Sequence, residues 1–93
     1  MVWLIDFILG RTFVYRIRRR YDKARERADR IRNRMDRLAI LRILDQAEPQ
    51  LVILEEQSLS RNDRKRIFAY VKSGIIKAER MLQQLKERKK LQA

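Results

Sequence analysis

A chain of 93 residues has room for one small domain at most, and chains of this size often complete their core with a partner. Cysteine and histidine are both absent, which excludes a disulfide framework, a zinc finger and the side chain that most often performs acid–base chemistry near neutral pH. The formal net charge of +12 predicts attraction to a polyanion, either nucleic acid or an anionic membrane surface.

The charge is unevenly distributed along the chain. Residues 11–42 carry thirteen basic and four acidic side chains, and residues 43–60 carry four acidic side chains and no basic one. Residues 61–93 return to eleven basic and three acidic side chains, so that two basic arms flank an acidic joint. Only two glycines and one proline interrupt the sequence, which predicts an all-α fold.

The chain begins with an apolar segment, residues 1–10, which we separate from a single helical domain over residues 11–93. The segment is too short for a membrane-spanning helix, which needs about 20 apolar residues, and it lacks the basic leader and cleavage site of a signal peptide. It is predicted to bury itself against the core, against a copy or protein partner, or in an anionic membrane surface. The predicted docking or oligomerisation residues are Trp3, Leu4, Phe7, Ile8 and Phe13.

A first long helix is predicted over about residues 11–46. Its apolar residues recur with three-four spacing, which is typical of an apolar seam between helices. Pro49 disfavours helical geometry at Glu48, so this helix is expected to end before the proline and a short helix to open at it. The predicted seam comprises Val14, Ile17, Tyr21, Ala24, Ala28, Ile31, Met35 and Leu38.

Beside this seam, basic residues follow a four-three spacing of their own. On one helix they would form a stripe about 31 Å long, at roughly 1.5 Å per residue. Duplex DNA offers about one charge per 1.7 Å of its axis, and arginine suits bidentate phosphate contacts. We therefore predict that this stripe binds nucleic acid, although a solvated helix face is the alternative. Its members are Arg16, Arg20, Lys23, Arg27, Arg30, Arg34 and Arg37.

A second long helix is predicted over about residues 60–90, with Ser60 as its N-cap. The predicted fold is an antiparallel, coiled-coil-like helical hairpin of two long helices joined by a short helix. In such a hairpin Arg25 lies near Glu79, and the basic residues 86–90 return to the end that carries the apolar N-terminus. The seam of this helix comprises Phe68, Val71, Ile75, Ala78, Leu82 and Leu85.

Nothing in the sequence indicates an enzyme, a metal site or a cofactor. Glu55 and Glu56 are adjacent and do not face one another on a helix, and no glycine-rich phosphate loop is present. The favoured hypothesis is a non-enzymatic, largely sequence-independent nucleic-acid-binding protein with a packaging or architectural role, which also self-associates or joins a larger assembly. The alternatives are a peripheral membrane subunit docked by its N-terminus, and a helical adaptor. The expected location is intracellular: cytoplasmic, nucleoid-like or within a virion, with membrane attachment left open.

Overall fold

The computed structural model describes the chain from residue 2 to residue 92, and its side chains from residue 12 to residue 91. Three α-helices make up this part of the chain: α1 (Val2–Asp29), α2 (Arg34–Glu56) and α3 (Arg61–Gln92). The predicted all-α class is confirmed. The predicted hairpin of two long helices with a short connecting helix is not what forms, because the connecting region is part of a long second helix.

The predicted helix over residues 11–46 is interrupted by a turn at residues 30–33. Backbone hydrogen bonds with three-residue spacing close the last turn of α1, a common way for an α-helix to end. Asn33 then caps α2, because its backbone is extended and its side chain accepts a hydrogen bond from the backbone N–H of Asp36 at 3.1 Å. A new helix therefore begins where we predicted continuation.

Pro49 lies inside α2, so the predicted helix boundary at this residue is wrong. The proline is exposed and points away from the buried face of the helix. Its missing N–H and its ring disturb only the solvent side. The apolar face continues past it without interruption, and burial of that face outweighs the local cost of the proline. The buried residues of α2 are Ile40, Leu44, Ala47, Leu51 and Leu54.

The core confirms most of the two predicted apolar seams. In α1, Ile17, Tyr21, Ala24 and Ala28 are buried. In α3, the buried residues are Val71, Ile75, Ala78 and Leu82. The predicted seam is wrong at its end, since Met35 is 77% exposed and Leu38 is 38% exposed. The turn at residues 30–33 resets the rotation of the chain, and α2 buries a different set of residues.

α1 and α2 run antiparallel. Arg18 near the middle of α1 pairs with Glu55 at the end of α2, whereas Arg25 further along α1 pairs with Asp45 near the middle of α2. The register places the end of α2 beside residue 18. Roughly the first half of α1 therefore extends beyond the C-terminus of α2.

α1 and α3 run parallel. Phe13 packs edge-on against Phe68 with ring centroids 6.5 Å apart, and Arg20 pairs with Glu79 further along both helices. The basic residues 86–90 therefore lie at the end opposite the chain's N-terminus. Our expectation that these residues form a basic collar around the N-terminal segment is wrong, because an extra helix reverses the chain once more.

α2 and α3 approach each other closely at Gly74. A Cβ atom built on this glycine would lie 3.3 Å from the Cβ of Ala47, so the absence of a side chain permits the close contact. The resulting bundle measures 56 × 20 × 17 Å. In a rod of these proportions, most of the surface of each helix is exposed to solvent. The exposed charged side chains therefore lie in rows along the helices.

Candidate nucleic-acid interface

Acidic residues of α2 form ion pairs with arginines on one flank of α1. Arg18 donates from Nε to Glu55 Oε2 at 3.0 Å, and its Nη2 donates to Glu55 Oε1, so the contact is bidentate. Arg25 donates from Nη1 to Asp45 Oδ1 at 2.9 Å. Bidentate arginine–carboxylate contacts are among the stronger charged hydrogen bonds. The α2-facing arginines of α1 are therefore occupied within the chain.

Tyr21 connects this ion-pair network to the core. The residue is only 1% exposed, and its hydroxyl accepts from Arg25 Nη1 at 2.7 Å and donates to Glu48 Oε2 at 3.1 Å. The guanidinium of Arg18 also lies 5.3 Å from the centroid of the ring, within range of a cation–π contact. Burial raises the pKa of Tyr21, and the neighbouring Arg25 partly opposes this shift. The hydroxyl is thus held neutral as a structural link between α1 and α2.

Arg20, which we predicted to bind phosphate, pairs with Glu79 instead. Its Nε donates to Glu79 Oε2 at 3.0 Å and its Nη2 donates to Glu79 Oε1 at 2.7 Å. We predicted that Arg25 would lie near Glu79, and this is wrong because Arg25 faces α2. The Arg20–Glu79 pair fixes which side of α1 faces α3.

Four members of the predicted stripe remain on or directly after α1 with exposed side chains. Within residues 12–91, none of them has a carboxylate within ion-pairing distance. By helical spacing they lie on the solvent side of α1 and toward α3, away from the acidic flank of α2. They are Arg16, Lys23, Arg27 and Arg30.

The last two members of the stripe lie on a different helix. Arg34 is exposed in the first turn of α2. Arg37 is partly buried, and its Nη1 donates to the backbone carbonyl of Ile31 at 3.0 Å, so that it stabilises the turn after α1. The continuous seven-residue stripe on one helix is therefore not formed.

α3 adds a second row of cations that the sequence analysis missed. Lys65, Lys72, Glu79 and Lys86 are spaced by seven residues, and Glu79 is the residue that holds Arg20 of α1. Residues seven apart lie on nearly the same side of a helix. The three lysines therefore lie along the α1-facing edge of α3, where they are exposed. The seven-residue spacing was a visible signal, but it gains meaning only once a neighbouring helix is known.

Of the five predicted docking residues, one lies among the described side chains. Phe13 is 53% exposed and makes the edge-on contact with Phe68. The side chains of Trp3, Leu4, Phe7 and Ile8 lie outside the described residues, although the α1 backbone continues as a helix through them. In the part of the chain that the structure describes, no helix is long and apolar enough to cross a membrane.

Across the described side chains, no three histidine, cysteine, aspartate or glutamate residues are grouped so as to hold a metal ion. Several carboxylates instead accept hydrogen bonds from arginine. Comparison with known proteins gives no match to this chain from a family model, a curated protein or a solved structure.

Proposed function

We propose that the chain is a non-enzymatic protein that binds DNA or RNA through the phosphate backbone, with little dependence on base sequence. The observation that carries the proposal is the separation of charge between the helices. α2 carries five acidic and three basic residues, whereas α3 carries three acidic and eleven basic ones. Asp45, Glu48 and Glu55 of α2 pair with the adjacent flank of α1, and exposed cations along α1 and α3 have no such pair among residues 12–91.

The proposed contact surface, which we call the α1–α3 edge, is long enough to span several phosphates of a strand or a duplex. The row from Lys65 to Lys86 is about 31 Å long at roughly 1.5 Å per residue. Over that length a duplex presents many more phosphates than this surface has cations. The number of cation–phosphate contacts is therefore limited by the number of cations on this surface. The surface comprises Arg16, Lys23, Arg27, Arg30, Lys65, Lys72 and Lys86.

The salt dependence of binding tests the proposal. Each phosphate neutralised on duplex DNA contributes about −0.9 to the slope of log K against log salt. Replacing Lys65, Lys72 and Lys86 with glutamine removes three cations from the α1–α3 edge without changing the buried seam. We expect the slope to become shallower by about two to three units, with equal loss for unrelated sequences because phosphate contacts carry no base information.

A matched control removes the same charge elsewhere. Lys77, Arg80 and Arg88 are exposed and, by helical spacing, lie away from the α1–α3 edge. Their replacement with glutamine should change the slope by less than about one unit. Equal effects of the two triple variants would mean that net charge alone drives binding and that this surface has no special role. Failure to bind duplex or single strands at low salt would refute the proposal entirely.

A second candidate is docking of the N-terminal end to an anionic membrane surface. The observation that favours it is that α1 extends past the end of α2, where Phe13 and Tyr15 are exposed. The basic residues 61–66 of α3 lie at this same end because α1 and α3 are parallel. An apolar helix end beside a basic cluster suits an anionic bilayer interface.

Co-sedimentation with vesicles separates the two candidates. A membrane-docking protein should bind vesicles that contain anionic lipid, and replacing Leu4 and Ile8 with serine should abolish binding. The same change should leave binding to nucleic acid within about twofold, because neither residue lies on the α1–α3 edge. Equal vesicle binding by the serine variant would exclude docking through residues 1–10.

A further inference from the structure

The outward face of α2 carries a row of seven residues, five of which are uncharged. The other two, Arg42 and Glu56, have opposite charges. Two of its apolar members, Met35 and Leu38, are the residues that the predicted seam placed in the core and that are exposed here. The row, which we call the α2 face, consists of Met35, Leu38, Arg42, Gln46, Pro49, Ile53 and Glu56.

The balance of charge between the helices indicates which partner this face suits. A second copy of the chain carries the same net charge of +12. Two copies that met through α1 or α3 would place cation rows against each other, and like charges in contact oppose association. α2 is the helix with more acidic than basic residues. The α2 face itself carries one cation and one anion, so contact through it does not place rows of cations against each other.

The two charges on the α2 face are arranged symmetrically around its centre. Arg42 and Glu56 each lie seven residues from Pro49, about 10.5 Å along the helix on either side. Both side chains are exposed, and neither has an ion-pair partner within residues 12–91. If two α2 helices lie antiparallel about a two-fold axis at Pro49, Arg42 of each copy faces Glu56 of the other.

We propose that the chain self-associates as a two-fold dimer through the α2 face, with the axis at Pro49 and reciprocal Arg42–Glu56 contacts. This symmetric pairing is isologous, so one set of residues serves both copies. The α1–α3 edges of the two copies would then face away from each other. Self-association does not depend on the proposed nucleic-acid function, because it uses different residues.

The size of the face sets the expected strength of association. A helix of 23 residues is about 34 Å long and about 10 Å wide, so α2 alone offers roughly 340 Å². Stable complexes bury about 800 Å² on each partner. A shallow groove of about 150 Å³ beside the α2 face, lined by Ile43, Gly74 and Tyr70, extends the surface. We therefore expect weak association, with a dissociation constant in the micromolar range or above.

Charge reversal tests the pairing directly in sedimentation velocity runs without nucleic acid. Arg42→Glu places two glutamates together at each contact, and Glu56→Arg places two arginines together, so each variant alone should dimerise at least tenfold more weakly. An equimolar mixture of the two should form a heterodimer, because both contacts are again complementary. The double variant R42E/E56R should regain the affinity of the unaltered chain. Arg80→Glu changes the net charge equally outside the α2 face and should not weaken association.

Site-specific cross-linking supplies an independent measurement, because the chain has no cysteine of its own. Pro49→Cys should form a disulfide-linked dimer rapidly under mild oxidation, whereas Lys77→Cys, on an exposed part of α3, should form one at least tenfold more slowly. The proposal is overturned if the unaltered chain stays monomeric at several hundred micromolar. It is also overturned if the mixed charge-reversal variants do not associate, or if the two cysteine variants cross-link at the same rate.

Discussion

Replacing Pro49 with alanine should stabilise the protein, because the proline lies in the interior of α2 on its exposed face. Proline is about 3 kcal/mol less favourable than alanine in a helix interior. Part of that gain is lost because proline also restricts the unfolded chain, by about 0.4–1 kcal/mol. The net expectation is an increase of about 2 kcal/mol in the free energy of unfolding.

Urea unfolding followed by circular dichroism at low micromolar protein measures this change in the monomer. With a slope of about 1–1.5 kcal/mol per molar urea for a chain of this size, the midpoint should rise by roughly 1.5 M. Pro49→Gly is the matched control, because glycine costs about 1 kcal/mol relative to alanine in a helix interior. Equal stability of the alanine and glycine variants would refute an α2 that continues through residue 49.

Three further changes test local features of the bundle. Asn33→Ala should lower the free energy of unfolding by about 1 kcal/mol and Asn33→Asp should preserve it, since only the aspartate can cap α2. Burial raises the pKa of Tyr21, so the tyrosine ionises more readily in the unfolded chain and the free energy of unfolding should fall above about pH 10. In Tyr21→Phe the contribution of this tyrosine to the fall should be absent when unfolding is measured as a function of pH. Gly74→Leu places side-chain atoms against Ala47 and should cost about 1–3 kcal/mol in thermal or urea unfolding.

The apolar seams of α1 and α3 could be predicted from the sequence because burial follows the local helical period. Ile17, Tyr21, Val71 and Ile75 recur at the spacing of one helix face, and all four are buried. Such a signal requires no knowledge of the neighbouring helix. It becomes unreliable only where the helix itself stops, as the exposed Met35 shows.

The helix boundaries could not be predicted because two local signals had to be weighed against tertiary packing. Pro49 is a strong local signal for a helix end, and Asn33 is a weaker one for a helix start. Full burial of a leucine contributes about 1.5–3 kcal/mol, and Leu51 and Leu54 after the proline are both buried. Together they exceed the cost of about 3 kcal/mol for one proline. The helix boundary therefore lies at Asn33, the weaker of the two local signals.

Only the α1 part of the candidate nucleic-acid surface could be predicted from the sequence, because the surface spans two helices. The cations of α1 were found by their spacing, whereas those of α3 acquire a role only after the third helix is known to run parallel to the first. The Arg20–Glu79 contact that establishes this alignment joins residues 59 positions apart. The spacing of residues within a single helix does not indicate such a contact between two helices.

The order of acidic and basic segments along the chain determines which arginines of α1 are paired. A three-helix bundle places its middle helix against both others, so the acids of α2 can reach a flank of α1 through Glu55 and Asp45. Five of the twelve acidic residues lie on α2. Three of these, Asp45, Glu48 and Glu55, pair with the inner flank of α1, and Glu79 is the counterpart on α3. The cations that remain unpaired are then those that packing turns toward solvent, which is the arrangement that binding to an extended polyanion requires.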